Sequence, residues 1–173
     1  QAKAQADIDR VVGQDRLPDF DDRPALPYLD AILRETLRWH PVIPMGVPHA
    51  TTTSDIYKGY FIPKDLSNEF LQMTKNFRAM THDETKYPSP DEFKPERFLH
   101  EGGSLIPDTP LGFGRAFIVG RHVADASLWI AIASFLSTFS VHKVLDDHGK
   151  EILVVAKFSV GIVMFAAFSP SPE

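Results

Sequence analysis

Two residues of opposite charge stand three apart in the run Tyr28–His40: Glu35 and Arg38. At that spacing they share one face of a helix. Read by itself, such a pair is a surface ion pair worth about 0–1 kcal/mol. The histidines are His40, His49, His82, His100, His122, His142 and His148. None builds HxH or HExxH, so a dedicated zinc site is not expected. His40 closes one helical run and His122 opens another, positions that predict capping or solvent contact. The stretch His82-Asp83-Glu84 reads as a helix end or loop surface. The run LGFGRAFIVGR at 111–121 is glycine-rich, yet it has neither the GK-Ser/Thr ending nor the GxGxxG spacing of a phosphate loop. Gly112 and Gly114 imply a tight turn, and Gly120 a close approach of backbone to a neighbour. The acidic residues are scattered through loops and form no paired-carboxylate or Ser-His-Asp arrangement.

The elements that must position these groups follow from periodicity. Ala4, Ile8, Val11 and Val12 predict an amphipathic helix over 2–12. Leu17–Pro27 is a proline- and aspartate-rich loop. Leu29, Ile32, Leu33, Thr36 and Leu37 predict a helix over 28–40, stopped by Pro41. Two β-rich runs around Lys58-Gly59 predict a hairpin within 49–62. Residues 67–80 fit a helix through Phe70, Met73, Phe77 and Met80, with Ser67 or Asn68 as its cap. Residues 83–112 are broken repeatedly by proline and glycine and can be ordered only by packing on something else. Val123–Phe139 is apolar nearly all round and predicts a buried helix. The tail holds β-rich runs at 141–145, 151–158 and 160–165, split by a turn at DDHGK.

Composition narrows the chemistry. The chain has 173 residues, a formal charge of -5, 43% hydrophobic and 24% charged residues, and no cysteine. These proportions are those of a globular chain. Mild acidity argues against nucleic acid as a partner, whose binding needs clustered Lys and Arg. Absence of cysteine excludes disulfides, Cys-based metal centres, a thiol nucleophile and a thiolate-ligated heme. No run reaches the ~20 apolar residues of a membrane span, and the polar start has no apolar signal core. The start also lacks Met and falls within a helical pattern, which predicts a piece of a longer chain.

Three segments, taken in order, resemble one family: ETLRWHP at 35–41, FKPERF at 93–98, and GFGR…GRHVADA within 112–126. Together they are similar to the C-terminal part of a cytochrome P-450, a heme-thiolate monooxygenase, and most of all to fungal members. The resemblance runs from residue 1 to about residue 160. It implies an α+β, mostly helical fold with a small mixed sheet and a long irregular meander. The chain is then a single domain or fragment, with helices and hairpin in 1–64, a rewritten and helical-looking segment in 65–82, meander and heme loop in 83–122, and buried helix plus strands in 123–173.

By the same resemblance, Glu35 and Arg38 are the ExxR pair, and Arg97 joins them in a network bracing the meander. A carboxylate between two guanidinium groups can be fully hydrogen-bonded. His49 falls where the family often places a heme-propionate donor. The family's loop, F-x-x-G-x-R-x-C-x-G, aligns with Leu111, Gly114, Ala116, Ile118 and Gly120. The glycines are kept, the propionate-binding Arg is Ala116, and the ligand Cys is Ile118, which has no donor atom. Heme is the family's cofactor, and this loop predicts none. The resemblance places the substrate-side half of the fold, with its oxygen-activating helix, upstream of Gln1. A redox reductase is implied for a full-length member, and an upstream segment anchoring it at the endoplasmic reticulum; this chain's own location is not legible.

Three functions follow as expectations. The first is a non-catalytic member with a binding or scaffold role. The second is part of a working monooxygenase, if the source polypeptide carries Cys at position 118. The third is a heme or small-molecule binder using His49 or His122. The helix 123–139, without the family's other helices around it, predicts self-association or a protein partner.

Overall fold

The computed structural model describes residues 1–41, 51–64, 77–107, 120–146, 148–152, 154–158 and 166–170. Helix α1 spans Ala2–Val11 and buries Ala4 and Ile8. The loop after it tightens into a 3-10 turn, Phe20–Ala25, because Asp19 and Asp22 form a reciprocal cap: Asp21 N–H donates to Asp19 at 2.9 Å and Asp19 N–H to Asp22 at 3.0 Å. Arg16 grips Asp22 through two bonds of 2.7 Å. Those bonds, with the Asp19 backbone donor, hold the Asp22 carboxyl down at about 2.

Helix α2 spans Pro27–Trp39. Pro27 starts it, where a missing N–H costs nothing. Its end follows from Pro41, which forces His40 out of helical geometry, to φ -135° and ψ 82°. Helix α3 is short, Phe77–Thr81, and lies inside the segment expected to be helical; residues 65–76, with the expected cap, lie outside the described residues. A second 3-10 turn spans Pro95–Phe98. Helix α4 spans Arg121–Thr138, starting two residues earlier than its apolar run, so His122 is helical and exposed.

The core is a three-helix seam. Ala4 and Ile8 of α1, Tyr28, Leu29 and Leu33 of α2, and Trp129 and Ala133 of α4 meet around Leu26. Each large aliphatic side chain buried there contributes about 1.5–3 kcal/mol. A second cluster joins Ala31 of α2 to Tyr87 and Phe98 of the irregular segment.

Helix α4 departs from expectation. Its sequence is apolar nearly all round, yet Trp129 and Ala133 alone among its described side chains are buried, and Val123, Leu128 and Phe135 are exposed. The reason is geometric: α1 and α2 pack on one side of it, where Ile130, Ile132 and Leu136 are also partly covered, and Val123, Leu128 and Phe135 stay exposed. No described helix is long and apolar enough to cross a membrane.

The described strands form two antiparallel pairs. Strands β1 (Asp55–Tyr57) and β2 (Tyr60–Ile62) pair with Tyr57 opposite Tyr60. The turn between them puts Lys58 and Gly59 at φ 50° and 85°, the left-handed geometry that favours glycine and suits a two-residue hairpin. Strands β3 (Val154–Phe158) and β4 (Ala166–Pro170) form the second pair. The run 141–145 makes only a single bridge, Leu145 to Glu151, across a turn in which Asp146 accepts from His148 and Lys150 N–H. Residues 160–165 lie outside the described residues. The fold is α+β, with helices dominating the packed part.

Candidate functional site

The site grows from one helical face. Along α2, Glu35 and Arg38 point into the protein rather than to solvent, and both side chains have 0% exposure. The surface ion pair expected from spacing alone is therefore corrected. Burial follows because the proline-rich segment 81–97 lies over this face. Arg38 Nε donates to Glu35 Oε2 at 2.7 Å, and Nη2 donates to Oε1 at 2.9 Å. Arg97 Nε donates to Oε1 at 3.2 Å, and the Lys94 backbone N–H donates to the same oxygen at 2.8 Å. One carboxylate thus takes four bonds from three residues, which offsets the cost of burying its charge.

The guanidinium groups spend their other donors on backbone carbonyls. Arg38 reaches the Thr81 and Pro90 carbonyls at 2.9 and 2.8 Å, and its guanidinium lies over the Tyr87 ring. Arg97 reaches the carbonyls of Pro88, Ser89 and Glu92 at 3.0–3.2 Å. These carbonyls belong to a segment with little regular secondary structure, so its acceptors would otherwise need water. The rest of the PERF turn is used as well: Glu96 accepts from Tyr28 hydroxyl at 2.9 Å, and Phe98 packs against Tyr87. Burial and the Glu96 contact push the Tyr28 hydroxyl up to about 12.

The neighbouring histidines are not simple surface groups. Trp39 Nε1 donates to the Asp91 carbonyl at 2.7 Å, and its ring meets the edges of His40 and Phe93. His82, expected at a helix end or on a loop surface, follows the last residue of α3, and its side chain is only 12% exposed, with Nε2 3.8 Å from Asp91. Burial first, then the positive charge of Arg78, lowers both His40 and His82 from the ordinary 6.5; Asp91 opposes this weakly. A histidine held neutral in the fold takes up protons more readily once unfolded. Its contribution is therefore fully present above the unfolded pKa and is lost as pH falls toward the folded one. Chemical denaturation should show stability falling as pH drops below about 6.5, with a shallower fall in His82→Gln. An equal slope in that variant rejects the assignment.

Of the other positions implied by resemblance, His49, Gly114, Ala116 and Ile118 lie outside the described residues. Gly120 is described: it precedes α4, is exposed, and a Cβ built on it meets nothing within 4 Å, so the close approach expected there is not to a described residue. Among the described residues no group of three His, Cys, Asp or Glu side chains could hold a metal ion.

Spacing gave no hint of a second ion-pair cluster. Arg23 Nη2 lies 2.6 Å from Asp30 of α2, and its Nη1 lies 2.7 Å from Asp125 of α4. The guanidinium sits over the Trp129 ring. Burial works against its charge, and the two carboxylates overcome it, holding the Arg23 pKa above its ordinary value. The signal available was a lone arginine in the acidic stretch DFDDRP, but its partner on α4 is too far along the chain for spacing to reveal.

A carboxylate organising two arginines, and a proline-rich segment laid over a helix, define a class of fold in which one helix holds irregular chain in place. The comparisons give that class its family. The cytochrome P-450 family model matches residues 1–162, and the chain belongs to that family. A cytochrome P-450 monooxygenase of Ampulloclitocybe clavipes is 44% identical over 167 residues, covering 94% of this chain and 30% of that protein. One from Armillaria gallica is 41% identical over 172 residues, with 98% and 33% covered. The ple1 monooxygenase of Rhodocybe pseudopiperita is 45% identical over 158 residues, with 88% and 29% covered. The chain is thus a monooxygenase-like family member that spans about a third of the length of the curated relatives it matches.

Proposed function

We propose that this chain is a non-catalytic member of its family, a scaffold whose heme-thiolate chemistry has been lost. The observation that carries this reading is Ile118 standing where the family motif has its cysteine. An aliphatic side chain has no lone pair to give to iron, and loss of the thiolate removes the electron push that favours O–O cleavage. Ala116, in the place of the propionate-binding arginine, removes a charge partner at the same time. The donor set therefore does not fit heme held through a thiolate. The intact bonds among Glu35, Arg38 and Arg97 support a retained structural role. Heme titration tests the reading: no thiolate-type spectrum is expected, and substrate oxidation by the pure chain with heme and a reductase would overturn it.

A second reading, part of a working monooxygenase, is favoured by the 44% identity to a named monooxygenase. Sequencing the source polypeptide decides it, since cysteine at position 118 would restore the ligand. Either reading leaves the exposed Val123, Leu128 and Phe135 of α4 in search of cover. Self-association through a second copy is our proposal for that surface. Light scattering should give a mass rising with concentration, and a strictly monomeric mass at high concentration rejects it.

A further inference from the structure

We propose that Arg23 is a positioning residue that fixes the start of α4 against α2, so that both ends of the chain between Ile106 and Asp125 are held to one helix. This goes beyond the functional reading above and stands whether or not the loop takes heme.

At one end, Arg34 of α2 donates through Nη1 to the Ile106 carbonyl. At the other, Asp30 of α2 binds Arg23, and Arg23 binds Asp125 of α4. Asp30 and Arg34 are four apart on α2, so the two holds rise from one face. The guanidinium divides its donors: Nε and Nη2 go to Asp30 and Nη1 to Asp125. A planar fork does this with fixed direction, whereas an ammonium is a point charge with no such geometry. The three side chains are 24%, 13% and 32% exposed, so the cluster is partly withdrawn from water. Asp125 lies past the first turn of α4, which holds no acidic residue, so the helix dipole gives its carboxylate little support. What Arg23 adds is a defined direction from that carboxylate to α2.

The far end of α4 is held by a different group. Gln5 of α1 donates to the carbonyls of Leu136 and Phe139 at 3.2 and 3.1 Å. The two ends of one helix can therefore be loosened separately, which makes the role testable apart from general stability.

The test is amide hydrogen exchange on the full chain carrying Arg23→Gln or Asp125→Asn. The second variant keeps the Arg23–Asp30 pair and takes the charge out of the link to α4. In both, exchange of amides 124–128 should rise about tenfold, the factor that ~1.4 kcal/mol represents, while amides 134–139 and 95–99 stay unchanged. Arg23→Lys should lie between, since one ammonium serves one carboxylate well. The double variant should add nothing to Asp125→Asn at 124–128. An equal rise at both ends of α4, or no rise at 124–128, overturns the proposal.

Discussion

Replacing Glu35 with alanine should cost about 3–5 kcal/mol of folding stability, the loss expected when one partner of a buried charge network is removed. The variant leaves the Arg38 guanidinium at 0% exposure with no carboxylate beside it, and takes the acceptor from Lys94 N–H and Arg97 Nε. Domains of ordinary stability hold only about 5–15 kcal/mol, so much of the whole is at stake. Glu35→Gln should recover little: its amide would set N–H donors against an Arg38 donor at one of the two positions. Arg38→Lys should also fail, because one ammonium cannot reach Glu35, the Thr81 carbonyl and the Pro90 carbonyl in the directions a guanidinium does. Urea unfolding measures the loss, and limited proteolysis should cut first within 81–97. A change below about 1 kcal/mol would place the pair with ordinary surface ion pairs.

The second large effect is spectroscopic. The unaltered chain should give no thiolate-type heme spectrum, because position 118 offers iron no donor. Ile118→Cys supplies the sulfur, and Ala116→Arg supplies a guanidinium for a heme carboxylate, which takes bidentate bonds well. The double variant should develop the carbon monoxide difference spectrum of a thiolate-bound ferrous heme. Ala116→Arg alone should not, since it restores charge without a ligand. Failure of the double variant to bind heme would overturn the view that these two positions are what the loop lacks. A Soret change in the unaltered chain that disappears in His49→Ala/His122→Ala would instead favour ligation by histidine.

What could be read beforehand divides by sequence distance. Helix α2 was legible because its signals are local: a 3.6-residue stripe, Pro27 at its start and Pro41 beyond its end. The hairpin was legible because Lys58-Gly59 carries its own turn geometry. The joining of Glu35 to Arg97 spans 62 residues and has no local signature; only family resemblance pointed to it. The Arg23–Asp125 link spans still more and resembles no short motif. Exposure of α4 was misjudged for a related reason. An apolar sequence states what a helix would bury, but packing partners decide what is covered: α1 and α2 bury Trp129 and Ala133 and partly cover Ile130, Ile132 and Leu136, while Val123, Leu128 and Phe135 stay exposed. Strand-like composition at 141–145 yielded to the Asp146 turn, which drew the chain into one bridge.

The four bonds on Glu35 also bear on the order of folding. Residues 81–97 borrow their fixed shape from carbonyl contacts to two arginines, and both arginines are aimed by one carboxylate. Closing that contact across 62 residues carries an entropy cost that grows slowly with loop length and must be met before the segment's contacts to Glu35 and Arg38 are gained. The segment should therefore join the helices late, and refolding followed by stopped flow should show that step setting the pace.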